Sequence, residues 1–423
     1  MNRKFKFTLS KEIELISSTP NEFDHSVGYH DIKPFNKGND DILLVHRYPK
    51  NTIGPKNNIP IDICIWDHKK NIFNKISDTT SWSWEQGSRL QWLDEENIIF
   101  NHVLDGKLQS CKINIKNPND KNYYNPIYSI NKNKFLSLNY NRIWKYWKNY
   151  GYFINNHEKF NPYPDDDGIF LNDFIGNKKL ILSIKDAVNL CGLKHVKKTF
   201  FLVHPTFNPS GDKMVSILRF INDGGNLISY FICTNLLSLR SQILARERVS
   251  HFEWVDNNKI VIWCRMNKQK FEKLRFNYFT EKYLISNLKK IINLLNPSLR
   301  QKLISTHYYL IDLENELKNQ ILDQENLIED GHPQISTNCK FLITDTYADI
   351  NGYQKLLLYE FKKNKTYELG KFKVDTEITK NGFKYDLHPR WNYNDNLISI
   401  DSSHEGSRQS YVLNIGEFLR KII

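Results

Sequence analysis

Five histidines of this chain stand at matching places. His30, His204, His251, His332 and His388 each precede a short apolar or aromatic run that gives way to a polar turn, as in "HPTFNPSG", "HFEWVDNNK", "HPQISTNCK" and "HPRWNYNDN". A sixth, His404, lies in "DSSHEGSRQ", and Asp386 sits two residues before His388. Imidazole is a common metal ligand and a general base near neutral pH, so a set of imidazoles with one carboxylate suits a borderline divalent ion such as manganese, zinc or iron. Arg219, Arg265, Arg390 and Arg408 fall close to these histidines in the chain. A guanidinium pairs with a carboxylate through two parallel hydrogen bonds, which points to an acidic substrate. The plainer reading is that a histidine before proline is a turn or capping residue, and that the arginines bridge neighbouring elements.

Spacing decides which elements must carry these side chains. Aromatics make up 13% of the chain, and its short apolar runs are cut by turns of Asn, Asp and Gly, a β signature. Units beginning near residues 30, 87, 125, 204, 251, 332 and 388 share one plan: strand, tight polar turn, strand, longer loop, strand. Repeats of roughly fifty residues that cannot bury their own apolar face are blades. The expectation is an all-β chain, a seven-bladed β-propeller forming a single domain over 1–423, with an N-terminal strand at 5–16 closing the last blade. A short helical insertion, 281–306, interrupts the fifth blade, with Leu284, Leu288, Ile291, Ile292 and Leu295 at helical spacing. In a blade with strands A to D, the loop into A and the loop from B to C open on one face. Five histidines then ring one mouth of the channel, and His404 reaches the same face from a B to C loop.

Charge and cysteine usage narrow the classes. The balance is 59 Lys+Arg against 47 Asp+Glu, a net +12, but the lysines are scattered and no basic block or Arg-rich helix stands out. The charge is therefore discounted as a pointer to an anionic partner, and nucleic acid is not expected. The six cysteines form no C-x-x-C pair and read as reduced residues of a cytoplasmic protein. Neither a signal-peptide core nor an apolar run of membrane-spanning length is present, so no membrane insertion is expected. G-x-S-x-G, P-loop and Rossmann motifs are missing, as is the GH…WD pattern of WD repeats.

At these residues the chain resembles the oligogalacturonate lyases and the wider TolB-like propellers. The likeness covers roughly residues 200–415: a histidine before an F-N-P turn ("HPTFNPSG"), one before an aromatic strand ("SHFEW"), one before a polar turn ("GHPQIS"), and "DLHPRW" against the family's H-P-H-P-S-F. The resemblance implies cleavage of uronate oligosaccharides by β-elimination, with manganese held by histidines and a glutamine. Carried over, His332 and His388 become metal ligands, and His251 or His204 the catalytic histidine. Asp386 stands where the family has its first histidine, and the glutamine has no clear counterpart.

The functional expectation is a carbon–oxygen lyase acting on an acidic oligosaccharide. A metal on His332, His388 and Asp386 would neutralise the uronate carboxylate; His251, with His204 as alternative, would take the adjacent proton; His404 would assist the leaving oxygen. Arg219, Arg265, Arg390, Arg408 and His30 are the substrate-binding candidates. A non-catalytic glycan- or protein-binding propeller linked to surface-polysaccharide metabolism is the alternative. A glycoside hydrolase ranks lower, because it requires two carboxylates across the mouth.

Overall fold

Turn chemistry sets the sheets. The second and third strands of the second sheet, Asn97–Leu104 and Lys107–Asn114, are joined through Asp105 and Gly106, both at positive φ (51° and 72°). That is the Asp-Gly hairpin turn whose twist matches the strands it connects. Asn71, at φ 55°, turns the first sheet between Ile61–Asp67 and Ile72–Thr79. Between such turns the strands are rich in β-branched and aromatic residues.

A computed structural model describes residues 6–52, 59–152, 159–266, 306–315, 318–374 and 384–423. Six four-stranded sheets and one five-stranded sheet result, all with antiparallel neighbours, and the fold is a seven-bladed β-propeller. The sheets open, in chain order, with Asp24–Ser26, Gln91–Trp92, Ser129–Asn131, Phe201–Phe207, Val249–Trp254, Gln334–Ile335 and Arg390–Trp391. Three short helices, Tyr140–Tyr146, Ile184–Leu190 and Gly416–Ile422, complete the described elements. None of the helices is long and apolar enough to cross a membrane. The helical insertion expected at 281–306 lies, but for Thr306, outside the described residues; Thr306 opens the strand Thr306–Asp312.

Contacts divide the chain into two compact units: residues 1–127, 140–157 and 331–423, and residues 128–139 and 158–330. The first holds the first, second, sixth and seventh sheets, and the second holds the third to fifth. In the first unit Phe341, Ile343, Leu358, Trp391, Ile398 and Leu413 form a core between the sixth and seventh sheets. Another, of Leu44, Ile63, Ile98, Phe100 and Ile113, joins the first and second. In the second unit Leu136, Ile169, Met214, Leu218, Phe220 and Tyr230 do the same. Burying each such side chain contributes about 1.5–3 kcal/mol.

The N-terminal segment divides its pairing between two sheets instead of supplying one strand. Phe7–Leu9 pairs with Lys365–Lys373 as the fifth strand of the sixth sheet, and Glu14–Ser18 pairs with Gln409–Asn414 as the outer strand of the seventh. The sequence between them, "SKEI", is too polar to continue one apolar face, and Ile13 N–H donates to Ser10 O (3.0 Å), turning the chain from one sheet to the next.

Candidate metal centre

The recurrent histidine has a backbone cause. In the seventh sheet Asp401 N–H donates to Leu387 O (2.8 Å), whereas Arg390 pairs with Ser399, so His388 and Pro389 form a bulge in the ladder. His388 has φ +42° there. The fourth sheet shifts register between Val203 and Thr206, with His204 at φ +54°, and the fifth between Val249 and Phe252, around His251. A bulge re-aims one side chain out of the strand's alternation. In the second sheet the matching place belongs to Arg89 (φ +58°), because Asn101 N–H donates to Ser88 O and Gln91 pairs with Ile99. Arg89 is locked on Asp31 through two bonds of 2.8 and 2.9 Å. His30 departs from the expected strand start. It lies in an excursion between Asp24–Ser26 and Phe35, which bridges Leu43, and Gly28 (φ +98°) and Pro34 interrupt the ladder around it.

In the first unit the sixth and seventh sheets bring His332, Asp386 and His388 together. All three are buried, and one donor atom from each lies within 4.8 Å of the others. The imidazoles of His332 and His388 are 4.2 Å apart at 88°, and His332 Nε2 is 4.0 Å from Asp386 Oδ2. His30 stands near them, its ring centre 5.4 Å from that of His332 and 6.3 Å from that of His388, with Nδ1 2.9 Å from Pro333 O.

Asp345, at the end of Phe341–Asp345, organises the cluster. Its Oδ1 accepts from His332 N–H and His332 Nδ1–H, both at 2.8 Å, and its Oδ2 accepts from His388 N–H at 3.0 Å. A carboxylate on Nδ1 keeps that proton in place and leaves Nε2 as the lone-pair donor. The approach requires glycine before His332, since a Cβ on Gly331 would stand 1.8 Å from Asp345 O. Asp345 escaped the sequence reading because "FLITDTY" is an ordinary strand end; only the adjacency of two sheets gives it a role.

The electrostatics of the cluster suit a cation. Burial first, then the nearby Glu85 and Asp345 carboxylates, pushes Asp386 well above the usual carboxylate range. Burial first, then the His332 imidazole, holds His388 well below the ordinary histidine value. Both ring nitrogens of His388 are buried without a hydrogen-bond partner among the described residues. Two imidazoles and a carboxyl group converging in a buried place are a donor set for a borderline divalent ion, so the residues present fit such a group.

The other candidates are placed differently. His404 is packed among rings, with centres 4.9 Å from Phe7, 5.4 Å from Phe372 and 4.5 Å from Tyr411, and its Nδ1 lies 2.9 Å from Ser402 Oγ. Burial lowers it to about 4. The placement of Phe7 explains the difference from the expected open loop, because the N-terminal strand covers this part of the seventh sheet. Arg390 is fully buried, donating to Gly28 O, to Tyr29 O (3.2 Å) and towards Asp401 Oδ2 (3.4 Å). It holds the excursion that carries His30. Arg408 donates to Trp84 O (3.3 Å) and lies 4.8 Å over the Trp84 ring, a cation–π contact. Both arginines have protein partners where substrate was expected. In the second unit, His251 Nδ1 is 3.0 Å from Asp330 Oδ1, His204 Nδ1 is 2.6 Å from the Tyr128 hydroxyl, and Arg219 Nε donates to Ser229 Oγ (3.2 Å). Arg265, half-buried, ends the strand Lys259–Arg265.

No protein-family model and no curated protein matches the sequence. Among solved structures, the chain is similar to an oligogalacturonate lyase in complex with manganese, at 14% identity, over 95% of this chain and 92% of that one, with a TM-score of 0.61. A second oligogalacturonate lyase, from Vibrio parahaemolyticus, matches at 11% identity over 96% and 97% of the two chains, with a TM-score of 0.59. At these identities the likeness is one of fold.

Proposed function

We propose that the protein is a metal-dependent lyase that cleaves a uronic-acid-containing oligosaccharide by β-elimination. The observation that carries this reading is the buried convergence of His332, Asp386 and His388, with both ring nitrogens of His388 unpartnered among the described residues. The fold shared with two oligogalacturonate lyases, one of them described with manganese, is consistent with it.

When bound, a divalent ion, manganese first, would supply neutralisation of the substrate carboxylate, which would make the adjacent carbon acid enough to lose its proton. His332, Asp386 and His388 would hold that ion, and Asp345 keeps His332 in the tautomer that presents Nε2. His251, paired with the Asp330 carboxylate, has the arrangement of a general base, and His204 beside the Tyr128 hydroxyl is the alternative. Proton removal and loss of the glycosidic oxygen leave an unsaturated sugar. The burial of His404 among rings removes it from the proposed machinery; Arg390, Arg408, Arg219 and His30 are all buried with protein partners, which leaves half-buried Arg265 as the most accessible of the named candidates for a substrate contact.

Purified protein stripped of metal and resupplied with manganese should convert oligogalacturonates, or another uronate oligosaccharide from a panel, to products absorbing in the near ultraviolet. A positioned base contributes about 10²- to 10⁴-fold, so His251→Ala or His204→Ala should lower turnover by that order. Turnover unchanged in the double variant would refute the assignment of the base, and no metal uptake would favour the non-catalytic binding propeller.

A further inference from the structure

The run "WKYWKNY", residues 144–150, has a period of its own. Trp144, Trp147 and Tyr150 follow at intervals of three, and Lys145 and Lys148 each come directly after a tryptophan. Trp147 N–H donates to Ile143 O (2.6 Å) and Tyr150 N–H to Trp147 O (3.1 Å), so the coil begun by the helix Tyr140–Tyr146 continues through the run. Residues three apart in such a coil share a side, which sets the three rings in one row and the lysines in the next.

The packing that holds this run comes from other residues. Tyr140 and Tyr152 are buried and stacked, with ring centres 4.2 Å apart at 13°. The Tyr140 hydroxyl donates to Ile127 O (2.7 Å), and the Tyr152 hydroxyl accepts from Asn101 Nδ2 (3.0 Å). Gly151 brings the chain back against the helix, where a Cβ would run into the Trp144 backbone nitrogen. Trp144, Tyr146, Trp147 and Tyr150 are left half-buried, and Lys145 and Lys148 are exposed. A packing role accounts for the buried anchors, but not for half-buried rings alternating with exposed cations.

These residues group with the first unit, and their rings lead back to the histidine cluster. Trp147 and Tyr150 are stacked 3.6 Å apart, Tyr150 meets Tyr29 edge to face at 6.0 Å, and Tyr29 is 5.2 Å from His388. A pyranose has an apolar face of C–H groups that packs on the electron-rich face of an aromatic ring. Cations beside a row of rings attract carboxylates carried by successive sugars, an attraction that salt screens.

We propose that Trp147 and Tyr150, with Lys145 and Lys148, form a binding platform for an acidic oligosaccharide, beside the metal cluster and distinct from it. The inference rests on the glycan reading above for the class of its ligand and on none of its metal chemistry. A chain held there extends beyond the sugars at the cluster.

The test uses the full chain stripped with EDTA at pH 8, which removes metal-dependent turnover and leaves the platform to bind alone. The probes are hexagalacturonate and its uncharged counterpart cellohexaose, titrated by calorimetry. Hexagalacturonate should bind, and cellohexaose should bind about 10-fold more weakly or less. Trp147→Ala should weaken hexagalacturonate binding about 10-fold. Lys145→Gln combined with Lys148→Gln should weaken it about 3-fold at low salt and flatten its salt dependence. Both variants should take up manganese as the parent does. No hexagalacturonate binding in the stripped parent, equal binding of cellohexaose, or parent-like affinity in both variants would overturn the proposal, whatever the parent does in turnover. A matching loss of manganese affinity would place the effect in the cluster and overturn it as well. A parent that binds hexagalacturonate with these losses in the variants, yet takes up no manganese and releases no unsaturated product, would overturn the lyase reading and uphold the platform. Thermal unfolding checks that each variant is folded, and should Trp147→Ala fail to fold, the double lysine variant decides.

Discussion

His388 and His404 flank strands of the same sheet, one just before its first strand and the other in the loop between its second and third, and both are almost fully buried, 1% and 3% exposed. Burial lowers the basicity of both, and each has a ring nitrogen without a hydrogen-bond partner among the described residues. Their company separates them. His388 has an imidazole, a carboxylate and the Asp345 bridge around it; His404 has Phe7, Phe372 and Tyr411. An unpaired buried nitrogen is therefore no site by itself. Convergent donors on separate elements make a candidate site, and rings around a lone imidazole make a packing residue.

The largest effect should follow from removing a donor. His388→Ala is expected to weaken manganese binding by more than about 100-fold, beyond the range for an outer hydrogen-bond partner, whereas His404→Ala should leave it within about twofold. Equal losses in the two variants would erase the distinction.

The next effect concerns pH. His404 is held at about 4 in the folded chain against an ordinary 6.5, so the unfolded chain binds a proton more readily. No penalty exists above pH 6.5; it grows as pH falls towards 4 and is complete below that. A shift of this size is worth about 3 kcal/mol. His404→Phe should flatten that part of the acid limb in urea unfolding measured at pH 7 and pH 4.5. His25, lowered to about 4, and His46, lowered to about 3, act in the same direction, so a residual limb remains. An unchanged limb in the phenylalanine variant would mean that His404 accepts protons where it is.

Asp345→Asn should lower manganese affinity by about 10- to 100-fold, because it removes the anionic partner of His332 Nδ1 while leaving the ligands in place. The smallest effect belongs to the packing side. Phe7→Ala, which strips one ring from His404 and loosens the added strand on the sixth sheet, should cost about 1–2 kcal/mol of stability and leave metal affinity alone. A large loss of metal affinity in that variant would tie the two regions together.

The seven-sheet architecture was legible in the sequence because Asn, Asp and Gly turns recur between apolar strands, and because the histidine motif marks one register position in four sheets. His332, Asp386 and His388 were legible as candidates for the same reason. Asp345 was not, since it looks like an ordinary strand residue and acquires meaning only when the two sheets meet. Arg89 was hidden by chemistry, as an arginine fills a bulge that elsewhere holds histidine. His404 misled because its neighbours come from the opposite end of the chain, and the division of the N-terminal strand between two sheets could not be seen from "FTLSKEIELISS" alone. His30 looked like the other four, but Gly28 and Pro34 alter the strand around it.

The central claim is that His332, Asp386 and His388 bind one cation. Anomalous diffraction at the manganese edge, from crystals grown with manganese after chelation, tests it most directly. The expected result is a single strong peak within bonding distance of all three side chains. A map without density there, or with manganese only at other residues, would contradict the claim.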